Sequence, residues 1–167
     1  MSIQYIHCLL SRYRKNIGQS GFTLLELLIV MTLISVLSAI ALPHLLGQVG
    51  KARESEAKNI VSSVNRAQQA FHFEKQTFAD GTTLTNADNE LGVVVTPDFY
   101  AFSVTGTATT AEVAATALNA TEDAVRNYAG GISYASGSYT TALCQSDTVG
   151  GTATASGSNC IAGTELN

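Results

Sequence analysis

The feature that most constrains this chain is an unbroken apolar run over residues 22–42 with a single carboxylate, Glu26, near its start. The next charge is Lys51. At 1.5 Å per residue the run makes a helix of about 31 Å, close to the hydrocarbon thickness of a bilayer. Such a helix is apolar on every side, and a globular domain covers one stripe of a helix, not its circumference. The run therefore needs lipid or copies of itself. Its flanks are equally informative. A secretory signal has a basic end, an apolar core and then a small-residue cleavage site. Here the basic end (Arg12, Arg14, Lys15) leads straight to a small residue, Gly21, and the apolar run follows. Cleavage after Gly21 would discard the charges and keep the apolar segment, which suits a subunit that assembles through its hydrophobic end. A rival processing site, Ala39-Ile40-Ala41, would use residues 24–37 as the core of an ordinary signal and release a soluble protein. The long leader and Glu26 inside that core count against it.

A second helical stretch is expected over residues 49–74. Ala57, Ile60, Val61, Val64, Ala67, Ala70 and Phe71 recur at three- and four-residue steps and make one stripe. Lys51, Arg53, Glu54, Glu56, Lys58, Asn65 and Arg66 fall opposite, with Glu54 and Lys58 in the favourable i,i+4 order. Pro43 removes a helical hydrogen bond and should kink or loosen the helix, with Gly47 and Gly50 adding freedom. After Phe78 turn-forming residues appear (Asp80-Gly81, and Asn86 to Asn89). Residues 91–96 and 99–105 read as strands joined at Pro97-Asp98, and residues 112–118 as a third. A helical turn is expected over 122–128, ending at Gly130-Gly131, with strands at 132–135 and 139–144. Residues 146–163 are rich in Gly, Ser, Thr and Ala and offer little to pack. The fold class is α+β: a long N-terminal helix, apolar in its first half, with a small antiparallel sheet on its amphipathic second half.

The sequence Gly21-Phe22-Thr23-Leu24-Leu25-Glu26 resembles the class III prepilin leader of type IV pilins and type II secretion pseudopilins. That resemblance implies cleavage after Gly21 by a membrane prepilin peptidase and N-methylation of the new terminal Phe22. It implies that Glu26 is the family's glutamate and Pro43 its helix-interrupting proline. The stretch from Ala41 to Lys58 looks closest to cyanobacterial major pilins, with His44 where asparagine is more usual. The implied organisation is a leader at 1–21, an apolar membrane and filament-core helix at 22–50, and a head at 51–167 that includes the amphipathic helix 51–75. The implied fold is that of type IV pilins.

Removing 21 residues from 167 leaves 146, enough for one modest core. All 13 acidic residues but only six of the nine Lys and Arg lie beyond Gly21, so the mature side chains carry −7. That balance argues against broad electrostatic binding of nucleic acid. The basic leader predicts a cytoplasmic N-terminus in the inner membrane with the head facing outward. Cys8 would leave with the leader. Cys144 and Cys160 then remain as an even pair on an oxidising side, and a bridge between them would be worth on the order of 3 kcal/mol for so short a loop. Two free thiols are the alternative. The bridge resembles the disulfide-bounded C-terminal region of many pilins.

Thr23-x-x-Glu26 is also a capping box, and a carboxylate in the first turn favours the positive end of the helix dipole. Against that bland role stands the cost of a charge in a membrane helix. The family resemblance implies that Glu26 pairs with the methylated amine of a neighbouring subunit during assembly. His44 and His72 lack carboxylate or cysteine neighbours at metal-ligand spacing and read as solvent or packing residues. Phe71, Phe73 and Phe78 read as packing between helix and sheet. Asp88 and Glu90 lack the spaced oxygen ligands of a calcium loop, and Asn119-Ala120-Thr121 is a weak glycosylation match. No P-loop, zincin motif, nucleophile elbow or triad is visible, so neither enzyme, cofactor nor metal is expected. The reading is a structural subunit of a type IV pilus serving motility, adhesion or DNA uptake. Its expected partners are itself, the peptidase, the assembly platform and secretin, and the membrane before assembly. The alternatives are a type II secretion pseudopilin and a membrane-anchored ligand-binding ectodomain that never polymerises.

Overall fold

Helix α1 runs over Leu24–Lys75. The structure, a computed structural model, describes residues 22–166, with the side chains of Pro43, His44 and Leu46 outside that set. The expected leader, including Gly21 and Cys8, also lies outside the described residues. The chain divides at Leu42 and Pro43 into two compact units.

In the first unit every described residue is exposed, including fourteen large apolar side chains from Phe22 to Leu42. The hydroxyls of Thr32 and Ser35 donate back to the carbonyls of Ile29 and Met31, at 2.7 and 2.6 Å. They therefore ask nothing of the surroundings. The helix is long and apolar enough to cross a membrane by length and composition. Helical assignment continues through Pro43.

The second unit, Pro43–Asn167, contains the sheets. Strands β1 (Tyr100–Gly106), β2 (Thr110–Ala117), β3 (Tyr128–Ala135) and β4 (Ser138–Gln145) form an antiparallel meander. The short α2, Ala120–Asp123, sits between β2 and β3. Strands β5 (Thr154–Ser156) and β6 (Asn159–Ala162) make a separate hairpin, and β7 (Thr164–Glu165) returns to pair with β4. The main sheet has the order β1-β2-β3-β4-β7.

One face of the sheet packs on α1. Ala57, Val61 and Val64 meet Tyr100, Val104, Val113, Ala115 and Tyr128 in one buried cluster. The other face is covered by the β5–β6 hairpin, where Ala129, Ala142 and Cys144 meet Ala153 and Ala155. Strand β3 lies between both layers, and its glycines make the room. A side chain at Gly130 would enter Val61, and one at Gly131 would enter the backbone of Gly157.

Several expectations are corrected. Residues 91–96 form no strand: Leu91 and Val95 are buried, but Val95 N–H donates to the Leu84 carbonyl rather than to a ladder. The expected helical turn is only Ala120–Asp123, ended by Ala124 in the left-handed region at φ 51°. Gly130-Gly131 lies inside β3 instead of ending a helix, and the strand expected at 132–135 is the second half of β3. Residues 146–163 are not unpacked, because Ala153 and Ala155 are buried against the main sheet. Asn65, assigned to the polar face, is buried.

Candidate assembly surface

The amino end of α1 is built by Thr23. Its hydroxyl accepts the N–H of Glu26 at 3.2 Å, and its carbonyl accepts from Glu26 and Leu27. This is the forward half of a capping box. The return half is absent, since the Glu26 carboxylate accepts no hydrogen bond from the described residues. Glu26 and Phe22 are both exposed. Capping at this end is thus done by Thr23, and the charge of Glu26 is left over. Around it lie the exposed side chains of Phe22, Leu25, Leu27 and Val30.

In the second unit Cys144 and Cys160 form a disulfide with Cα atoms 5.7 Å apart. It ties β4 of the main sheet to β6 of the hairpin. The same hairpin is anchored by Glu112, whose Oε1 accepts the N–H of Ala155 at 2.9 Å.

The helical half of this unit carries a polar set of contacts that the apolar stripe did not reveal. Gln68 is buried and clamps Ala79 from both sides: Nε2 donates to its carbonyl at 2.8 Å and Oε1 accepts its N–H at 2.9 Å. Asn65 Nδ2 donates to the Gly131 carbonyl at 3.3 Å. His72 is buried among Phe78, Tyr134 and Tyr139. Its Nε2 faces the Ala108 carbonyl at 3.1 Å, which can only accept, so Nε2 carries the proton. Nδ1 is then left to accept from the Tyr139 hydroxyl at 2.9 Å. His72 is a satisfied packing residue. These three would have been found by extending the buried stripe at steps of three and four from Val61 without requiring apolar types.

Nearer the start of this unit, Arg53 pairs with Asp123 and stacks its guanidinium 3.9 Å from the Phe99 ring centre. Glu54 Oε1 accepts the N–H of Arg126 at 2.9 Å. Both contacts hold the α2–β3 connection to the helix. Burial pushes the hydroxyls of Tyr100 and Tyr128 above the ordinary phenolic range, helped for Tyr100 by Tyr128 and for Tyr128 by the Glu54 carboxylate. Among the described residues no group of three or more His, Cys, Asp or Glu is placed to hold a metal.

A family described as "Type IV pilin-like G and H" matches residues 54–160, more than half of the chain. The chain belongs to the type IV pilin family. A second description, "Prokaryotic N-terminal methylation motif", matches residues 17–42 of this pilin. "Fimbrial protein" of Moraxella nonliquefaciens is 33% identical over 107 residues, spanning 53% of this chain and 70% of the relative. "Type IV major pilin protein PilA" of Myxococcus xanthus (strain DK1622) is 39% identical over 67 residues, 40% of this chain. That match spans only 30% of the relative's length. "Fimbrial protein Q" of Moraxella bovis is 32% identical over 79 residues, 47% of this chain and 50% of the relative. No solved structure matches this pilin significantly. Type IV pilins are structural subunits, not enzymes.

Proposed function

We propose that this pilin is the polymerising subunit of a type IV pilus, cut after Gly21 and N-methylated on Phe22. The observation that carries the reading is the pairing of an all-round apolar helix with one uncommitted carboxylate. Glu26 has no partner among the described residues, while the fourteen apolar side chains around and beyond it lack cover. A new terminal amine at Phe22 is a cation of reference pKa about 8, and methylation keeps it protonatable. In a water-poor fibre core the Glu26 carboxylate of one copy and the amine of the next satisfy each other. A subunit in the wrong register leaves two desolvated charges unpaired, which costs several kcal/mol.

In this reading residues 1–21 are the leader, 22–50 the membrane and fibre-core helix, and 51–167 the surface head. The chain waits in the inner membrane with its N-terminus cytoplasmic and leaves through an assembly platform and secretin. Pro43 loosens the helix as it leaves the bilayer. The Ala41 to Lys58 stretch resembles that of cyanobacterial major pilins. Motility, adhesion and DNA uptake are all compatible roles. The test is N-terminal sequencing and intact mass of protein sheared from the cell surface. N-methyl Phe22 as the first residue is expected. A mature chain starting after Ala41 instead would overturn the reading.

A further inference from the structure

The main sheet has two unequal edges. At the β4 edge, β7 covers only Cys144 and Gln145, with one further bond from Leu166 N–H to the Leu143 carbonyl. Backbone groups alternate in direction along a strand. Because Leu143 points its carbonyl outward, Tyr139 and Thr141 point theirs outward too. Among the described residues neither has a ladder partner on that side. Beside this edge runs a groove formed by Ser62, Arg66 and Gln69 of α1 with Thr141 and Leu166. Its lining is mostly polar.

On the other flank of α1 lie residues 93–96, which belong to no strand. They lead through Pro97 towards β1, the other edge of the sheet. Val95 is buried and gives its N–H inward to Leu84. Neither the Val94 N–H nor the Thr96 N–H has a partner among the described residues, although the Thr96 carbonyl already accepts from the Asp98 N–H at 2.9 Å. Val94 is also 56% exposed. Pro97 biases Thr96 to the extended region and stops the segment there. This segment lies against Glu56, Ile60 and Ser63 of α1. At 100° per residue those positions and Ser62, Arg66 and Gln69 fall on opposite flanks of the buried stripe through Val61 and Val64.

We propose that these are the two halves of one heterologous contact: residues 93–96 of one copy add as a strand to the open β4 edge of the next, alongside Tyr139 and Thr141. The lengths agree, since β7 blocks the edge on one side and Pro97 ends the incoming segment on the other. A contact between unlike surfaces on opposite flanks does not close a dimer. It propagates into a ring or a helical filament. An exposed edge left unpaired would be a hazard for a secreted monomer, whereas here pairing adds main-chain bonds between heads. The inference rests on the pilus reading above.

The experiment uses full-length chain. Val94→Cys and Thr141→Cys are made singly and together, and surface-sheared filaments are oxidised and run without reducing agent. The double variant should give a ladder of cross-linked multimers that neither single variant gives. Filaments of the double variant without a ladder, or dimers from Val94→Cys alone, overturn the contact. If the variants do not assemble, hydrogen exchange on wild-type filaments decides. The amides of Val94, Thr96, Tyr139 and Thr141 should exchange at least roughly tenfold more slowly than in detergent-dispersed subunits. Equal rates overturn the inference. Absence of filaments from the wild-type chain would instead count against the pilus reading itself.

Discussion

Gln68 shows how much one side chain can hold. It satisfies both backbone groups of Ala79, where the chain leaves α1 and turns back to the sheet. Replacing it with Leu would strand a buried N–H and a buried carbonyl, at about 1–3 kcal/mol each. Gln68→Leu should therefore lower stability by about 2–4 kcal/mol in denaturant titrations of detergent-dispersed subunits. Gln68→Glu keeps one of the two bonds and should fall between Leu and wild type. Tyr100 and Tyr128 set an alkaline limit. Their hydroxyls lose protons less readily when folded than the ordinary value of 10.0. Their contribution is complete below that pH and falls as pH rises above it, because only the unfolded chain releases the protons there. Stability should decline above about pH 10, and phenolate absorbance should lag until unfolding; early ionisation in the folded state would contradict the burial argument. Glu26 works through what it lacks. Glu26→Ala removes a charge costing about 2.5–3.5 kcal/mol in mid-membrane, so cleavage and insertion should persist while filament number drops to few or none. Wild-type piliation from Glu26→Ala as the sole pilin would reduce Glu26 to a helix-end residue.

At the scale of elements, β3 is the strand that both layers approach. Gly130 admits the helix and Gly131 admits the hairpin. A Cβ at Gly131 meets backbone at Gly157, which cannot swing aside as a side-chain tip could. Gly131→Ala should thus lift the β5–β6 hairpin and cost about 1–3 kcal/mol, while the disulfide keeps the hairpin tethered. Faster hydrogen exchange at Ala155, whose N–H is held by Glu112, is the readout. An unchanged rate there would mean that the layers are less closely fitted than the geometry implies. The same strand explains what could be read from the sequence. Strands at 99–105 and 112–118 were legible because their inward positions, such as Val104 and Val113, alternate with polar ones. Gly130-Gly131 looked like a helix stop because a run of small residues carries no sign of what presses on it from either side. Val93 to Val95 have strand chemistry, but strand formation needs a partner strand, and among the described residues that segment bonds to the Leu84 carbonyl and the Asn89 side chain instead. The hairpin was hidden for the opposite reason: its residues are too small to announce a core, and Cys160 supplies the fixing point. On α1 the buried stripe was legible through Ala57, Val61 and Val64, was overextended to Ala70, which is exposed, and was lost where Asn65, Gln68 and His72 continue it with hydrogen bonds.

The whole chain joins two units with incompatible needs. The second has a core of its own, reaching from Ala57 to Tyr128, and its helix is already packed at Gly50 against Val125. The first has no core. Its fourteen exposed large apolar side chains, at about 1.5–3 kcal/mol each for full burial, represent on the order of 20 kcal/mol or more of unfavourable contact with water. That exceeds the roughly 5–15 kcal/mol by which a domain is stable, so no adjustment within the second unit can offset it. The apolar helix must be covered from outside, first by lipid and then by other copies. A chain beginning at Pro43 should consequently be soluble without detergent, retain the Cys144–Cys160 bridge and remain monomeric at concentrations where the mature full-length chain assembles. Light scattering and non-reducing peptide mapping on that fragment check both parts. Filaments from the fragment alone would move the assembly energy from the apolar helix to the head surfaces. A fragment that aggregates with its disulfide scrambled would show that the second unit depends on residues 22–42 for folding as well as for polymerisation.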